Sequence, residues 1–240
     1  MEKYALITGA SGGIGRAVAR NLAKEGYFLY LHYHENYESI VQLLEELQEY
    51  GGEYMPVKAD LSQSVGVEEL KRAIFSLDAI IHCSGSSHYG LFTDLAAEEL
   101  EKLIRLHVTT PMLLTKELLP AMIGKKSGNI VLISSIWGQT GGACEVAYSA
   151  AKGAQISFVK ALSKEVALNG VRVNAIAPGA VNTPMMKDFN ENEIDMLKEE
   201  IPMGRLAEPI EIANGVSFLL SNKSSYITGQ IIAINGGWYT

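Results

Sequence analysis

The sequence predicts a single doubly wound α/β domain, with about seven parallel strands and helices on both faces of the sheet. Short apolar segments alternate with amphipathic ones at the spacing of βαβ units. No linker, repeat or low-complexity segment interrupts the 240 residues. Hydrophobic residues make up 48% of the chain and charged residues 20%, which suits one large core. We therefore expect residues 1–240 to form one domain.

The predicted strands are short and mostly apolar on both faces, as buried parallel strands are. They span residues 4–8, 28–33, 53–58, 79–82, 129–134, 172–176 and 230–234. Right-handed crossovers would bring their carboxyl ends to one edge of the sheet, where open α/β sheets bind ligands.

Two helices between the strands have clear limits. Apolar residues recur every three or four positions from Glu145 to Val166, and Gly170 follows as a candidate left-handed cap. Pro209 suits the first turn of a helix that continues to Leu220.

Composition narrows the class of protein. Lysine and arginine total 20 against 27 acidic residues, and this net charge of −7 argues against a dedicated nucleic-acid or membrane-surface binder. We see no signal peptide and no apolar run near the ~18 residues of a membrane span. Cys83 and Cys144 have no metal or disulfide spacing. We expect a reduced cytoplasmic protein without metal, nucleic-acid partner or membrane association.

The first strand runs into a glycine-rich turn, TGASGGIG (8–15), followed by a helix. Glycines allow the backbone to approach a pyrophosphate closely, and a helix N-terminus presents free N–H groups to it. The pattern predicts a dinucleotide site, with an empty βα turn as the alternative. The candidate contacts are Gly9, Ser11, Gly12, Ile14 and Gly15.

Tyr148 and Lys152 lie four residues apart and share one helix face. A phenol has a pKa of about 10, and a nearby ammonium lowers that pKa, so Tyr148 can exchange a proton with a carbonyl or alcohol oxygen. Ser135 ends the preceding strand at the same edge, where its hydroxyl can bind the same oxygen. Each feature alone is common, and their convergence beside the glycine loop predicts a catalytic site.

The sequence resembles the short-chain dehydrogenase/reductase family along essentially its whole length, and within it the bacterial 3-oxoacyl-acyl-carrier-protein reductases. The matching motifs are TGASGGIG (8–15), DL (60–61), Gly85, ISSIWG (133–138), YSAAK (148–152), NAIAPGAVNT (174–183) and YITGQIIAINGG (226–237). The spacing of 13 from Ser135 to Tyr148 is also that of the family. The resemblance implies a Rossmann-type NAD(P)-dependent enzyme that interconverts a ketone and a secondary alcohol.

The resemblance also implies roles for individual residues. Tyr148 would be the catalytic acid, Lys152 would lower its pKa and bind the nicotinamide ribose, and Ser135 would orient the substrate carbonyl. Asp60 would contact the adenine beside Leu61, or else cap a helix. The residues expected beside the nicotinamide, unless they form an ordinary turn, are Pro178, Gly179, Val181 and Thr183.

Two positions depart from the family pattern. The family's Asn-Asn-Ala-Gly reads HCSG (82–85) here, so Cys83 is either a cofactor contact beside Gly85 or a buried apolar residue. The family's catalytic asparagine falls on His107, which either relays protons to Lys152 or packs as a structural histidine.

The cofactor prediction rests on the end of the second strand, where an acid would bind the ribose of NAD and repel a 2′-phosphate. Tyr33 or His34 occupies that position, which favours NADP(H) over NAD. Gly12, where NADP-dependent relatives often have arginine, and the nearby Glu35 point the other way. His34 either pairs with the phosphate when protonated or is a solvated loop residue.

The resemblance implies a 3-oxoacyl group borne on an acyl carrier protein as the substrate, with a ketone borne on elongation factor P as the alternative. Lys125 and Lys126 lie where relatives dock an acidic acyl carrier protein, although Asn169 stands where such relatives often have arginine. The segment LHYHEN (31–36) is similar to the branch that reduces the 5-aminopentanone group on elongation factor P. The resemblance implies that residues 185–203 are the family's mobile substrate lid, and the alternative is a surface helix.

A non-catalytic nucleotide sensor on the same fold is the alternative from another class of protein. Such members usually lack the tyrosine or the lysine that this chain keeps. Relatives associate through the long helices around the Ser135 strand and through the C-terminal strand. Small residues at Ala150, Ala151 and Ala154 suit close helix approach, so we expect a homotetramer.

Overall fold

The computed structural model describes residues 2–187 and 189–240 and contains one parallel sheet. Its strands are β1 (Lys3–Thr8), β2 (Tyr27–Tyr33), β3 (Tyr54–Lys58), β4 (Ala79–His82), β5 (Gly128–Ile133), β6 (Val171–Pro178) and β7 (Ile231–Ile234). They lie in the order β3-β2-β1-β4-β5-β6-β7, and all six neighbouring pairs are parallel. The strand order reverses between β1 and β4, which opens a crevice at their carboxyl ends.

Helices cover both faces of this sheet. Those of the described residues are α1 (Gly13–Lys24), α2 (Tyr37–Leu47), α3 (Val65–Ala73), α4 (Ala97–Ile104), α5 (Thr110–Lys125), α6 (Trp137–Thr140), α7 (Val146–Val166), α8 (Glu191–Glu200) and α9 (Pro209–Leu220). The core on one face contains α1, α2 and α9, and the core on the other contains α3, α5 and α7. Successive residues of β1 alternate between them, with Ile7 in the first core and Leu6 in the second.

The predicted fold class is confirmed. Each predicted strand is present, with ends that move by one or two residues, and the helices predicted after Glu145 and from Pro209 coincide with α7 and α9. Gly170 adopts the left-handed conformation, with φ +72°, just past the short 3₁₀ turn that follows α7. The outer strands β3 and β7 are partly exposed instead of buried on both faces, because each has a neighbour on one side only.

A π-helical turn, Arg105–Thr109, joins α4 to α5 and was not predicted. The carbonyl of His107 in this turn accepts a hydrogen bond from Gln155 Nε2 of α7 at 2.7 Å. The hydroxyl of Thr110 donates to the carbonyl of Leu61 at 2.8 Å. The turn is thus fastened to α7 on one side and to the segment after β3 on the other.

Within residues 2–187 and 189–240, none of the helices combines the length and apolarity needed to cross a bilayer. The same residues contain no group of three or more side chains placed to hold a metal ion.

Candidate active site

A cavity of about 930 Å³ opens at the carboxyl ends of the central strands. Every site residue predicted from the sequence lines it, from the glycine loop to the segment after β6. The structure therefore brings together side chains that are up to 174 positions apart in the chain, from Gly9 to Thr183.

The glycine loop forms one wall of the cavity. Gly9 has φ +67°, and its carbonyl accepts a hydrogen bond from Gly12 N–H at 3.0 Å. A Cβ on Gly15 would collide with the Gly9 carbonyl, and one on Gly13 would lie 2.7 Å from Thr183 Cγ2. The N-terminus of α1 has no side-chain cap and no acidic residue in its first turn. Free N–H groups beside a cavity, with no carboxylate near them, fit an anionic pyrophosphate.

Ser135 and Tyr148 are brought together by close packing of α6 on α7. A Cβ on Gly138 of α6 would lie 2.7 Å from the Lys152 carbonyl carbon, so only glycine permits this approach. The Ser134 hydroxyl also donates to the Lys152 carbonyl at 3.0 Å. A small apolar cluster packs α4 against the first turns of α7 on the other side. The segment that carries Ser135 is therefore fixed to the helix that carries Tyr148.

Burial sets the protonation of the two central groups. It raises the pKa of Tyr148, with a further increase from the Glu145 carboxylate, while a hydrogen bond with Ser135 acts in the opposite direction. Burial lowers the pKa of Lys152 to about 7. The Lys152 ammonium donates to the Ile133 carbonyl at 2.7 Å and lies 5.4 Å from the centre of the Tyr148 ring.

The prediction that Lys152 lowers the pKa of Tyr148 stays a prediction: burial and Glu145 raise this pKa, and Ser135 lowers it. Tyr148 stays protonated at neutral pH, which is the state that a proton donor requires.

His107 is buried and uncharged. Its Nε2 lies 2.8 Å from the carbonyl of Ser86 and 3.1 Å from the Ser86 N–H, and its ring stands edge-on to that of Tyr148 with centres 5.4 Å apart. Burial and the Lys152 charge lower its pKa to about 3. These contacts favour the packing role, because an imidazolium relay would need a charge that burial opposes at neutral pH.

Three other predicted residues have partners within the protein. Asp60 Oδ1 accepts hydrogen bonds from the Ser62 N–H at 2.9 Å and from its hydroxyl at 2.6 Å, so Asp60 stabilises the turn before α3 while it lines the cavity. The alternative that Asp60 caps a helix is wrong, because α3 begins at Val65 with Ser64 as its N-cap. Burial raises the pKa of the Cys83 thiol to about 12, which leaves it an unreactive part of the wall. His34 Nε2 lies 3.6 Å from Asp60 Oδ2, so a carboxylate already faces this imidazole.

The outer part of the cavity contains residues that the sequence analysis missed. Trp137 and Trp238 pack edge-to-face with ring centres 5.3 Å apart, and Glu145 lies beside them. The predicted lid, whose residue 188 lies outside the described residues, contributes Phe189, which packs on Tyr89 with ring centres 6.1 Å apart. Trp137 directly follows the Ser135 segment, but no local pattern shows that Trp238 meets it.

Lys125, one of the two lysines expected to dock a carrier protein, does not line the cavity. Lys125 ends α5 just before β5, and its Nζ binds Ser76 Oγ at 3.0 Å and Asp78 Oδ1 at 3.3 Å. β5 begins just after Lys125 and ends just before Ser135, so the length of this strand places Lys125 about 20 Å from Ser135. Lys125 is therefore already paired, at the edge of the sheet opposite the cavity.

Comparison with known proteins agrees with this geometry. A short-chain dehydrogenase family model described as "Enoyl-(Acyl carrier protein) reductase" matches residues 9–239. The chain belongs to the short-chain dehydrogenase/reductase family. It is an oxidoreductase, and it keeps Tyr148 and Lys152, so the alternative of a non-catalytic sensor is set aside.

Relatives extend over the whole chain. It is 53% identical to "Uncharacterized oxidoreductase YmfI" of Bacillus subtilis (strain 168), with all of both chains covered. It is 33% identical, again over all of both chains, to the 3-oxoacyl-[acyl-carrier-protein] reductase FabG of Staphylococcus epidermidis. A Beutenbergia cavernae protein, described as an NAD(P)-dependent gluconate 5-dehydrogenase and solved with NADP at low occupancy, superimposes with a TM-score of 0.93. It shares 29% identity, over 98% of this chain and 96% of that one.

Proposed function

We propose that this short-chain dehydrogenase/reductase uses NADPH to reduce a ketone to a secondary alcohol. The supporting observation is that Tyr148 and Ser135, which lowers the pKa of Tyr148, both line the cavity that the glycine loop also lines. The nicotinamide supplies a hydride to the carbonyl carbon when it is bound. Tyr148 breaks its O–H bond and gives the proton to the carbonyl oxygen, while Ser135 donates a hydrogen bond to the same oxygen. The Lys152 cation stabilises the phenolate that Tyr148 becomes.

Three groups of residues that line the cavity indicate where each part of the cofactor would bind. The N–H groups at the start of α1 would bind the pyrophosphate, and Asp60 with Leu61 would border the adenine. The segment after β6 would border the nicotinamide through Pro178, Gly179, Val181 and Thr183.

The end of β2 supports NADPH over NADH, because Tyr33 and His34 stand where an acid would bind the ribose of NAD. Among the described residues, His34 and Asn36 line the adenine end of the cavity, whereas Glu35 between them does not, and its side chain is 85% exposed. The Beutenbergia structure with bound NADP points the same way. Dissociation constants for NADPH and NADH, measured by nucleotide fluorescence, test this choice, and equal or tighter binding of NADH would refute it.

Glu145 distinguishes the two candidate substrates. This carboxylate lines the cavity, and burial raises its pKa, while Trp137 acts on that pKa in the opposite direction. A protonated amine on the substrate would offset the burial of the carboxylate, whereas a 3-oxoacyl thioester offers it no cation. Glu145 therefore favours an amine-bearing ketone, such as the 5-aminopentanone group of elongation factor P. The FabG relatives support the 3-oxoacyl alternative.

A matched pair of small ketones tests this choice. In 5-(dimethylamino)pentan-2-one a protonated nitrogen replaces one CH of 6-methylheptan-2-one, and the tertiary amine cannot close to a cyclic imine. We expect kcat/KM with NADPH to favour the amine by about tenfold or more. The preference should fall to about one in Glu145→Gln. Any effect of Glu145 on the pKa of Tyr148 acts on both ketones alike, so it cancels in the ratio of their kcat/KM values.

Natural substrates complete the test. Faster turnover of an acetoacetyl thioester on acyl carrier protein than of modified elongation factor P, unchanged by Glu145→Gln, would decide for the 3-oxoacyl alternative. Tight NADPH binding without turnover of any of these ketones would contradict the proposed reaction itself.

A further inference from the structure

His32 is a buried histidine beneath the glycine loop that none of the proposed chemistry uses. It lies near the end of β2 and is 3% exposed. Its Nδ1 lies 2.9 Å from the Gly9 N–H, and its Nε2 lies 3.0 Å from the carbonyl of Ala59. The imidazole thus spans from the turn after β1 to the segment after β3.

The two backbone partners fix the tautomer of this ring. A carbonyl can only accept, so Nε2 must carry the hydrogen that Ala59 receives. A backbone N–H can only donate, so Nδ1 must be the bare nitrogen that accepts from Gly9. Burial lowers the pKa of His32 to about 4, which keeps this neutral form at physiological pH. If Nδ1 were protonated, two N–H groups would face each other and the hydrogen bond from Gly9 would be lost.

The histidine holds two successive loop residues. Its backbone carbonyl accepts from the Ala10 N–H at 2.8 Å, while its side chain accepts from Gly9. The Ser84 hydroxyl of the segment after β4 lies 3.4 Å from the same Nδ1. The segments that follow β1, β3 and β4 therefore meet at one imidazole, and two of the contacting residues, Gly9 and Ser84, line the cavity.

We propose that His32 is a positioning residue for the dinucleotide: its Nδ1 holds Gly9 of the glycine loop, where the pyrophosphate would bind, and its contact with Ala59, just before Asp60, orients the imidazole for this role. This inference rests on the proposed cofactor site. Gly9 has a positive φ and no side chain that could fix its position, so the hydrogen bond to His32 restrains the loop there instead. Loss of that contact should weaken cofactor binding more than the chemical step.

The main test compares His32→Leu with His82→Leu. His82 is also 3% exposed, and burial likewise lowers its pKa to about 3, but its Nε2 binds Thr115 Oγ1 at 3.0 Å and it does not line the cavity. Both variants lose a buried polar contact and should lower Tm. Only His32→Leu should raise the Kd for NADPH, by about tenfold, with kcat at saturating NADPH within about threefold of the parent.

Two isosteric variants keep the proposal falsifiable if His32→Leu does not fold. Asparagine places Oδ1 at the position of histidine Nδ1, and glutamine places its terminal group near Nε2. His32→Asn can therefore keep the Gly9 contact and should bind NADPH within about threefold of the parent, whereas His32→Gln should lose about tenfold.

An affinity of folded His32→Leu or His32→Gln equal to that of the parent would overturn the inference, as would an equal loss in His82→Leu. A parent protein that binds neither NADPH nor NADH would instead overturn the proposed cofactor.

Discussion

Tyr148 keeps its proton at neutral pH because burial and the Glu145 carboxylate raise its pKa. Tyr148→Phe retains the ring that packs on His107 and removes only the acidic O–H. We expect turnover of NADPH with a reducible ketone to fall by about 10²–10⁴-fold, while Tm changes little. Steady-state rates and thermal melting measure the two effects. A variant within about threefold of the parent rate would remove Tyr148 from the role of proton donor.

Lys152 should make stability depend on pH. Burial lowers its pKa from 10.5 to about 7, so between these values the unfolded chain binds more protons than the folded chain. The lysine contribution to the free energy of unfolding therefore rises with pH in this window, and as pH falls from about 10.5 it declines until it is lost near pH 7. Without nucleotide, the Tm of the parent relative to Lys152→Met should increase from about pH 7 to about pH 9.5. Parallel pH profiles would show that Lys152 titrates alike in both states.

At the scale of elements, the contact between α6 and α7 controls the catalytic geometry. A methyl group on Gly138 would press on the Lys152 backbone and move the Ser135 segment away from Tyr148. Gly138→Ala should lose about 1–3 kcal/mol of stability and reduce kcat, with little change in the Kd for NADPH. Gly124→Ala on α5 is the control, since nothing lies within 4 Å of its added Cβ, and it should gain about 0.5–1 kcal/mol. A more stable Gly138→Ala with full activity would contradict this packing argument.

Elements whose limits depend on local chemistry could be predicted from the sequence. Pro209 and Gly170 mark a helix start and a helix end because backbone geometry alone decides their positions. The π-helical turn around His107 could not be predicted, because its hydrogen bonds depend on Gln155 of another helix. His32 was missed for a similar reason: its partners Gly9 and Ala59 are distant in sequence, and a histidine within an apolar strand gives no sign of them.

At the scale of the whole molecule, several apolar side chains stay exposed on the surfaces predicted to associate. Met112 and Leu113 on α5 are 43% and 38% exposed, and Val146 on α7 is 46% exposed. β7 also leaves one edge of the sheet unpaired. We expect light scattering at micromolar concentration to give about four times the chain mass of 26.1 kDa. The mass of a single chain would contradict the homotetramer.

The contact between Gly85 and His107 restricts the order in which these positions can change during evolution. A Cβ at residue 85 would lie 2.5 Å from Cε1 of His107, and that ring is held in place by the Ser86 backbone. Alanine at 85 would therefore be harmful while histidine occupies 107 and tolerable once a smaller side chain stands there. This sign epistasis leaves only one order of substitution open: a smaller side chain must replace His107 before alanine can replace Gly85.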